Sequence, residues 1–251
     1  MSITSSRSRS AAYRIPGVCV LAVLGGAGIW AANRAEHEYT STSVITATPR
    51  ALLSLHTGSA DLVISPGPGS AIRIERRARW IGERPTHVMT ERTDGRIDLQ
   101  DGCPGGLTVP AALFSFHDDC SITYDVQVPA GQAVELDGGA GDIELHDLDG
   151  SVTAIAGSGD ISADGLLSRV AKLGAGSGDV SASFDRAPTS LRVTAGSGDV
   201  SLQVPGGAYR ITASTGSGDR SVDGLADDPG ATRSIMARTG SGDLSIGRSD
   251  R

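Results

Sequence analysis

Six aspartates recur at nearly regular spacing and are the residues of this sequence best suited to bind a cation. Asp142 ends a Gly-Ala-Gly-Asp segment, and each of the others ends a Gly-Ser-Gly-Asp segment: Asp160, Asp179, Asp199, Asp219 and Asp243. In stacked copies the carboxylates would lie ~4.8 Å apart and repel by about 0.9 kcal/mol in water. Calcium ions between them would offset this repulsion. Hydrogen bonds from turn N–H groups to carboxylates splayed into solvent would also offset it.

The small residues before these aspartates predict tight chain corners. Glycine adopts positive φ angles at little cost, and serine, like aspartate, caps free N–H groups through its side-chain oxygen. A more distant copy, Gly58-Ser59-Ala60-Asp61, lies earlier in the chain. The predicted corner residues are Gly157, Ser158, Gly159, Gly176, Ser177, Gly178, Gly196, Ser197, Gly198, Gly216, Ser217, Gly218, Gly240, Ser241 and Gly242.

Enzyme motifs are scarce in the sequence. It contains no G-x-S-x-G elbow, no H-E-x-x-H, no phosphate-binding loop and no G-x-G-x-x-G. Two pairs of carboxylates, Glu144 with Asp147 and Asp227 with Asp228, suggest glycoside hydrolysis on a β-helix as an alternative hypothesis. Acidic loops are common in proteins that are not enzymes, so we predict a non-enzymatic protein with no cofactor other than calcium.

Two of the three cysteines, Cys103 and Cys120, flank a loop rich in Pro and Gly. Two cysteines in an oxidising compartment predict one disulfide, which would contribute roughly 3 kcal/mol by closing that loop. The alternative is a metal site that combines these cysteines with His117, Asp118 and Asp119.

Alternation of apolar and polar residues around the corners predicts β-strands. Leu191, Val193 and Ala195 alternate with polar residues before one corner, and Val200 and Leu202 do so after it; period two is the strand repeat. The copies recur every 18 to 24 residues. Units of two strands must stack to bury their apolar faces. We therefore expect an all-β fold, a β-solenoid with coils of about 20 residues.

Residues 15–33 carry no charge and follow three arginines, Arg7, Arg9 and Arg14. This pattern predicts one transmembrane signal anchor with the chain after residue 34 outside the cytoplasm, although a cleaved signal peptide is the alternative. The predicted divisions are a basic tail at 1–14, the anchor at 15–33, a linker at 34–43, irregular first coils with the disulfide loop at 44–136, the repeat solenoid at 137–247 and a charged tail at 248–251.

The net charge is −7, and four of the 22 basic residues precede residue 35. The exported part is therefore strongly acidic, and we expect it to repel nucleic acid. The stretch Arg73 to Arg96 is rich in arginine. It is predicted to be a solvated strand face, with docking of an anionic envelope polymer as the alternative.

The sequence resembles the bacterial "putative adhesin" family of β-strand-repeat proteins. The resemblance is carried by an amino-terminal anchor, a Cys-to-Cys loop, the strand ending Val128-Pro129-Ala130-Gly131 and the serial Gly-Ser-Gly-Asp units. The resemblance covers roughly residues 44–247. It implies a solenoid-like envelope protein with a link to envelope-stress or two-component gene clusters, and it supplies no catalytic residues. Arg220 departs from the pattern, because the other copies have Val, Ile or Leu after the aspartate.

Taken together, these features predict a membrane-anchored extracytoplasmic adhesin or envelope scaffold whose partner is an unidentified envelope protein or polysaccharide. The alternatives are a calcium-responsive binding or envelope-stress sensing domain and, third, a polysaccharide-active β-helix enzyme.

Overall fold

The computed structural model describes residues 36–46, 52–81, 84–91, 96–103 and 120–249. Within these ranges the regular structure is entirely β, and none of the residues forms a helix of the length and hydropathy that a membrane span needs. The predicted anchor at 15–33 lies outside the described residues. The prediction of an all-β, solenoid-like fold is confirmed for the described part.

The amino-terminal part of the described chain contributes seven strands. They are β1 (Glu36–Thr46), β2 (Leu53–Thr57), β3 (Asp61–Pro66), β4 (Ala71–Ile81), β5 (Thr86–Glu91), β6 (Arg96–Gly102) and β7 (Cys120–Val128).

The repeats contribute the remaining strands, in pairs that flank each corner. They are β8 (Val134–Gly138), β9 (Ile143–His146), β10 (Val152–Ala156), β11 (Ile161–Leu166), β12 (Val170–Ala175), β13 (Val180–Phe184), β14 (Ser190–Ser197), β15 (Val200–Val204), β16 (Ala208–Ser217), β17 (Arg220–Asp223), β18 (Ala226–Asp227), β19 (Ser234–Ser241) and β20 (Leu244–Arg248).

These strands form two ten-stranded sheets. The entry sheet contains the strands that lead into the corners, in the order β18-β16-β19-β14-β12-β10-β8-β2-β6-β5. The exit sheet contains the strands that leave them, in the order β1-β4-β7-β3-β9-β11-β13-β15-β20-β17. Each coil crosses from one sheet to the other at its corner, so residues 52–66 and 120–249 share one stack.

Pairing is parallel throughout the repeats, because each strand lies beside its equivalent in the next coil, as in Ile161 beside Val180. Among the described strands, antiparallel pairing occurs only at the amino-terminal end, between β1 and β4, β4 and β7, and β5 and β6. Residues 36–43, predicted to be a linker, belong to β1. This strand forms there because it satisfies the edge of β4, which would otherwise expose a row of unpaired backbone groups.

The core lies between the sheets and follows the predicted alternation. In β14 Leu191, Val193 and Ala195 are buried, and in β15 Val200 and Leu202 are buried. The core is built mainly of Val, Leu, Ile and Ala, with Tyr124, Phe184 and Tyr209 as the large aromatic side chains that are fully buried.

The last two coils do not stack in chain order, contrary to the prediction of simple translational stacking. The coil of β19 and β20 pairs with β14 and β15, and the coil of β16 and β17 lies outside it. The physical reason is Arg220, which occupies the inward position that Leu244 fills in the other coil. Burying an unpaired guanidinium would cost several kcal/mol, so this coil takes the end of the stack.

Candidate functional site

The predicted aspartates form a continuous ladder along one edge of the solenoid. The Oδ1 atom of each aspartate except the last accepts a hydrogen bond from the backbone N–H of the aspartate in the next stacked coil, with N···O distances of 2.7–3.1 Å. The stacking order is Asp61, Asp142, Asp160, Asp179, Asp199, Asp243 and Asp219. The distant copy ending at Asp61 is therefore the first step of this aspartate ladder.

These bonds explain how the carboxylates tolerate one another. A hydrogen bond to a charged acceptor contributes about 1.5–3 kcal/mol, which exceeds the repulsion of about 0.9 kcal/mol between exposed charges at this spacing. The six predicted aspartates remain exposed. Within the described ranges no three or more His, Cys, Asp or Glu side chains cluster in a way that could hold a metal. Calcium binding by this ladder stays a prediction.

The corner glycines are required for a different reason from the predicted one. Only Gly218 and Gly242 among them have positive φ. A Cβ added at either glycine of a Gly-Ser-Gly corner would lie within 3.0 Å of a carbonyl oxygen in the neighbouring coil. Close stacking of the corners, and not a left-handed backbone, therefore excludes other side chains from most of these positions.

The corner serines act through their backbones. The Ser158 N–H donates to the Gly139 carbonyl, at 2.9 Å, and the Ser177 N–H donates to the Gly157 carbonyl, at 3.1 Å. Their side chains are exposed and make no hydrogen bond within the described part of the chain. The serine column therefore faces solvent.

Cys103 and Cys120 form the predicted disulfide, across a sequence separation of 17 residues. Cys103 directly follows β6 in the entry sheet, and Cys120 begins β7 in the exit sheet. The cystine therefore joins the two sheets in the coil where Gly-Ser-Gly-Asp is absent. His117, Asp118 and Asp119 lie outside the described residues.

A polar cluster, formed by Arg76, His87, Asp101 and Tyr124, lies in and beside the coil of the disulfide; the side chains of Arg76 and Asp101 are buried, and His87 is exposed. Arg76 Nε donates to Asp101 Oδ1, at 3.1 Å, and the Tyr124 hydroxyl donates to Asp101 Oδ2. His87 Nδ1 lies 3.2 Å from Asp101 Oδ1 and 3.0 Å from the Tyr124 hydroxyl. Arg76 and Tyr124 come from the exit sheet, and His87 and Asp101 come from the entry sheet. The polar cluster therefore ties the two sheets together.

The charges of this polar cluster depend on each other. Burial alone would raise the pKa of Asp101, but hydrogen bonds from His87 and Tyr124 and the positive charge of Arg76 hold that pKa below its ordinary value of 3.8. Burial and the nearby Asp101 carboxylate raise the pKa of the Tyr124 hydroxyl. Asp101 is therefore ionised and Tyr124 neutral at physiological pH, which favours a structural ion pair and not a tyrosinate base.

Three of the four carboxylates considered above for glycoside hydrolysis contact other groups of the chain. Glu144 lies 3.7 Å from His146. Asp227 accepts a hydrogen bond from the Ile211 N–H, at 3.0 Å, and Asp228 accepts one from the Gly230 N–H, at 2.8 Å. The latter two carboxylates thus stabilise the turn between the last coils.

Sequence reasoning missed the polar cluster because its four residues come from four different strands. One signal was present: Arg76 stands at an inward position of β4, between the buried Ile74 and Ala78. A charged residue at a strand position that otherwise alternates as buried and apolar indicates that the charge has a buried partner.

The profile of the Toastrack DUF4097 family matches residues 115–247. Among curated proteins, none matches the chain. A solved structure titled "putative cell adhesion protein", from Clostridium sporogenes, is 13% identical, with a TM-score of 0.43 over 84% of this chain and 100% of its own. One titled "putative adhesin", from Bacteroides fragilis, is 9% identical, with a TM-score of 0.41 over 83% of this chain and 97% of its own. The profile match covers more than half of the sequence, and the chain belongs to the Toastrack DUF4097 family.

Proposed function

We propose that this protein is a non-enzymatic display module, anchored in the cell membrane by residues 15–33, whose solenoid acts outside the cytoplasm as an adhesin or envelope scaffold. The observation that carries the proposal is the unbroken pair of ten-stranded sheets. Such a body presents long, regular faces, which suit attachment to extended partners.

The disulfide supports an extracytoplasmic location. Cytosolic thiols are kept reduced, whereas disulfides persist in oxidising compartments. The cystine between Cys103 and Cys120 joins the two sheets in a coil whose sequence has no Gly-Ser-Gly-Asp motif. The uncharged run at 15–33, preceded by arginines, supports the anchor and its orientation.

The test is a topology measurement on intact cells that produce the full chain with a carboxy-terminal epitope. Protease added outside should remove the epitope while a cytoplasmic marker stays intact. A variant lacking residues 1–34 is the matched control and should keep its epitope protected. Protection of the full-length epitope until the cells are lysed would refute the proposed location.

The aspartate ladder supports a second candidate, a calcium-responsive domain, because seven carboxylates lie in one row. Since six of the seven carboxylates already accept a backbone N–H, we expect the melting temperature to be the same in millimolar calcium and in chelator. Differential scanning calorimetry of the full chain would measure it. A rise in the melting temperature with calcium, and none with magnesium, would favour the calcium-responsive candidate.

A further inference from the structure

Four cations share one exposed surface of the solenoid, here called the basic face. It is the outer side of β12, β14, β19 and β16, and the exposed Lys172, Arg192, Arg238 and Arg210 project from it. These four strands contain no aspartate or glutamate. The basic face is therefore purely cationic in a chain whose net charge is −7.

The register places these cations on four consecutive strands, with Arg238 two residues beyond and Arg210 two residues before the level that Lys172 and Arg192 share. Lys172 on β12 lies directly opposite Arg192 on β14. Arg238 on β19 lies opposite Thr194 of β14, and Arg210 on β16 lies opposite Ser234 of β19. Adjacent strands are ~4.8 Å apart, so the four cations extend over about 14 Å along the solenoid axis.

None of the four cations makes an ion pair or a side-chain hydrogen bond within the described ranges. Arginines on the outer side of β4 differ in this respect. Arg77 lies 2.8 Å from Asp125 and 3.1 Å from Glu75, and Arg79 lies 3.6 Å from Glu38. The cations of the basic face are therefore free to meet an external anion, whereas two of the β4 arginines already have acidic partners.

The side chains between the cations indicate the kind of polymer that fits. They are hydroxyls and one thioether, with the exposed Val170 of β12 beside Lys172, and the face is a sheet surface and not a pocket. Hydroxyl groups suit the hydroxyls of sugars, and a guanidinium matches a carboxylate, sulfate or phosphate group with paired N–H donors. The intervening residues are Ser190, Thr194, Thr212, Ser214, Ser234 and Met236.

We propose that the basic face binds a linear anionic polysaccharide, which lies across the strands with its acidic groups on the four cations. The basic face would give the proposed display module a class of ligand. This proposal depends on the proposed function only in that the polysaccharide is taken to lie outside the cytoplasm.

The test compares charge reversal on the basic face with the same reversal elsewhere. The full chain, purified in a non-ionic detergent, is titrated with heparin and with polygalacturonate in isothermal calorimetry at low and physiological salt. In Arg192→Glu/Arg238→Glu the affinity should fall by about tenfold or more, because two charge-assisted contacts become repulsions. The control, Arg73→Glu/Arg79→Glu on β4, changes the net charge equally and should lose less than about threefold.

Binding to either glycan by the wild-type chain, weakened by salt and by the basic-face variant alone, would support the inference. No binding by the wild-type chain at low salt, or equal losses in the two variants, would overturn it. Binding to duplex DNA or anionic vesicles but to neither glycan would also overturn it. If the reversal variant fails to fold by circular dichroism, Arg192→Gln/Arg238→Gln gives the same comparison. None of these outcomes changes the topology measured on intact cells.

Discussion

Corner glycines are the residues under the tightest steric constraint in the stack. Their backbones approach the carbonyl oxygens of the neighbouring coil so closely that a methyl group has no space. This constraint comes from the contact between coils and applies again at each corner.

We predict that Gly178→Ala lowers the free energy of unfolding by about 1–3 kcal/mol, because the added methyl forces two coils apart. Gly58→Ala is the matched control, since nothing lies within 4 Å of the Cβ that it adds. Urea unfolding followed by circular dichroism measures both. Equal stability of the two variants would contradict the steric explanation.

Asp101 makes a pH-dependent contribution to stability. Its pKa is lower in the folded chain than in the unfolded chain. Its ion pair with Arg76 therefore stabilises the fold above the unfolded pKa of about 4, and the stabilisation disappears as the pH falls through the lower folded value.

We expect the wild-type chain to lose more unfolding free energy than Asp101→Asn when the pH is lowered from 7 to about 3. Asp101→Asn should also be the less stable at pH 7, because it leaves the buried Arg76 without its anion. Asp164→Asn, at an exposed outer position, is the control and should follow the wild-type profile. Parallel profiles for the wild type and Asp101→Asn would show that the pKa of Asp101 does not control this pH dependence.

The coil of β6 and β7 differs from the others because its sequence contains neither Gly-Ser-Gly-Asp nor one of its variant copies. The disulfide and the polar cluster take the place of the corner in joining the sheets. This coil is consequently the one whose stability depends on redox state.

We predict that Cys103→Ser/Cys120→Ser lowers the unfolding free energy by about 3 kcal/mol, as expected for opening a loop of this length. A reductant should destabilise the wild-type chain and leave the double variant unchanged. Thiol labelling of the unreduced native chain should find both cysteines protected. Labelling of both would show that the bond is absent.

At the scale of the whole molecule, the stack ends in a coil that is more polar than those it covers. Ile211, Ala213 and Val222 point inward but are only half-buried, and Arg220 is exposed. In the part of the chain that the structure describes, nothing pairs with the outer edge of β17. An inward-pointing charge on an edge strand opposes pairing with another chain.

We expect Arg220→Val to cause concentration-dependent self-association, because it extends the apolar surface at an unpaired edge. Ser221→Val adds a valine to the outward side of the same strand and should keep the wild-type association state. Analytical ultracentrifugation over a range of concentrations distinguishes them. If Arg220→Val and Ser221→Val have the same association state, Arg220 does not prevent another chain from pairing with the end of the stack.

The repeat, the strand alternation and the corner positions could be predicted from the amino-acid sequence alone, because each follows from short-range periodicity. Leu191 and Val193 alternate with polar residues whatever lies around them, and the spacing of the aspartates places the corners. The disulfide was also predictable, because Cys103 and Cys120 are the two cysteines of the sequence outside the apolar span, and they form the bond.

Which coils are neighbours could not be predicted from the sequence, because it depends on contacts between residues that are distant in the chain. The polar cluster draws on four strands, and the order of the last two coils follows from the cost of burying Arg220. The same is true of the basic face, whose four cations lie 18 to 28 residues apart from their neighbours in the sequence. Parallel stacking brings their strands together about one strand spacing apart. Lys172 and Arg192 occupy equivalent positions, and Arg238 and Arg210 are displaced from that level by two residues in opposite directions.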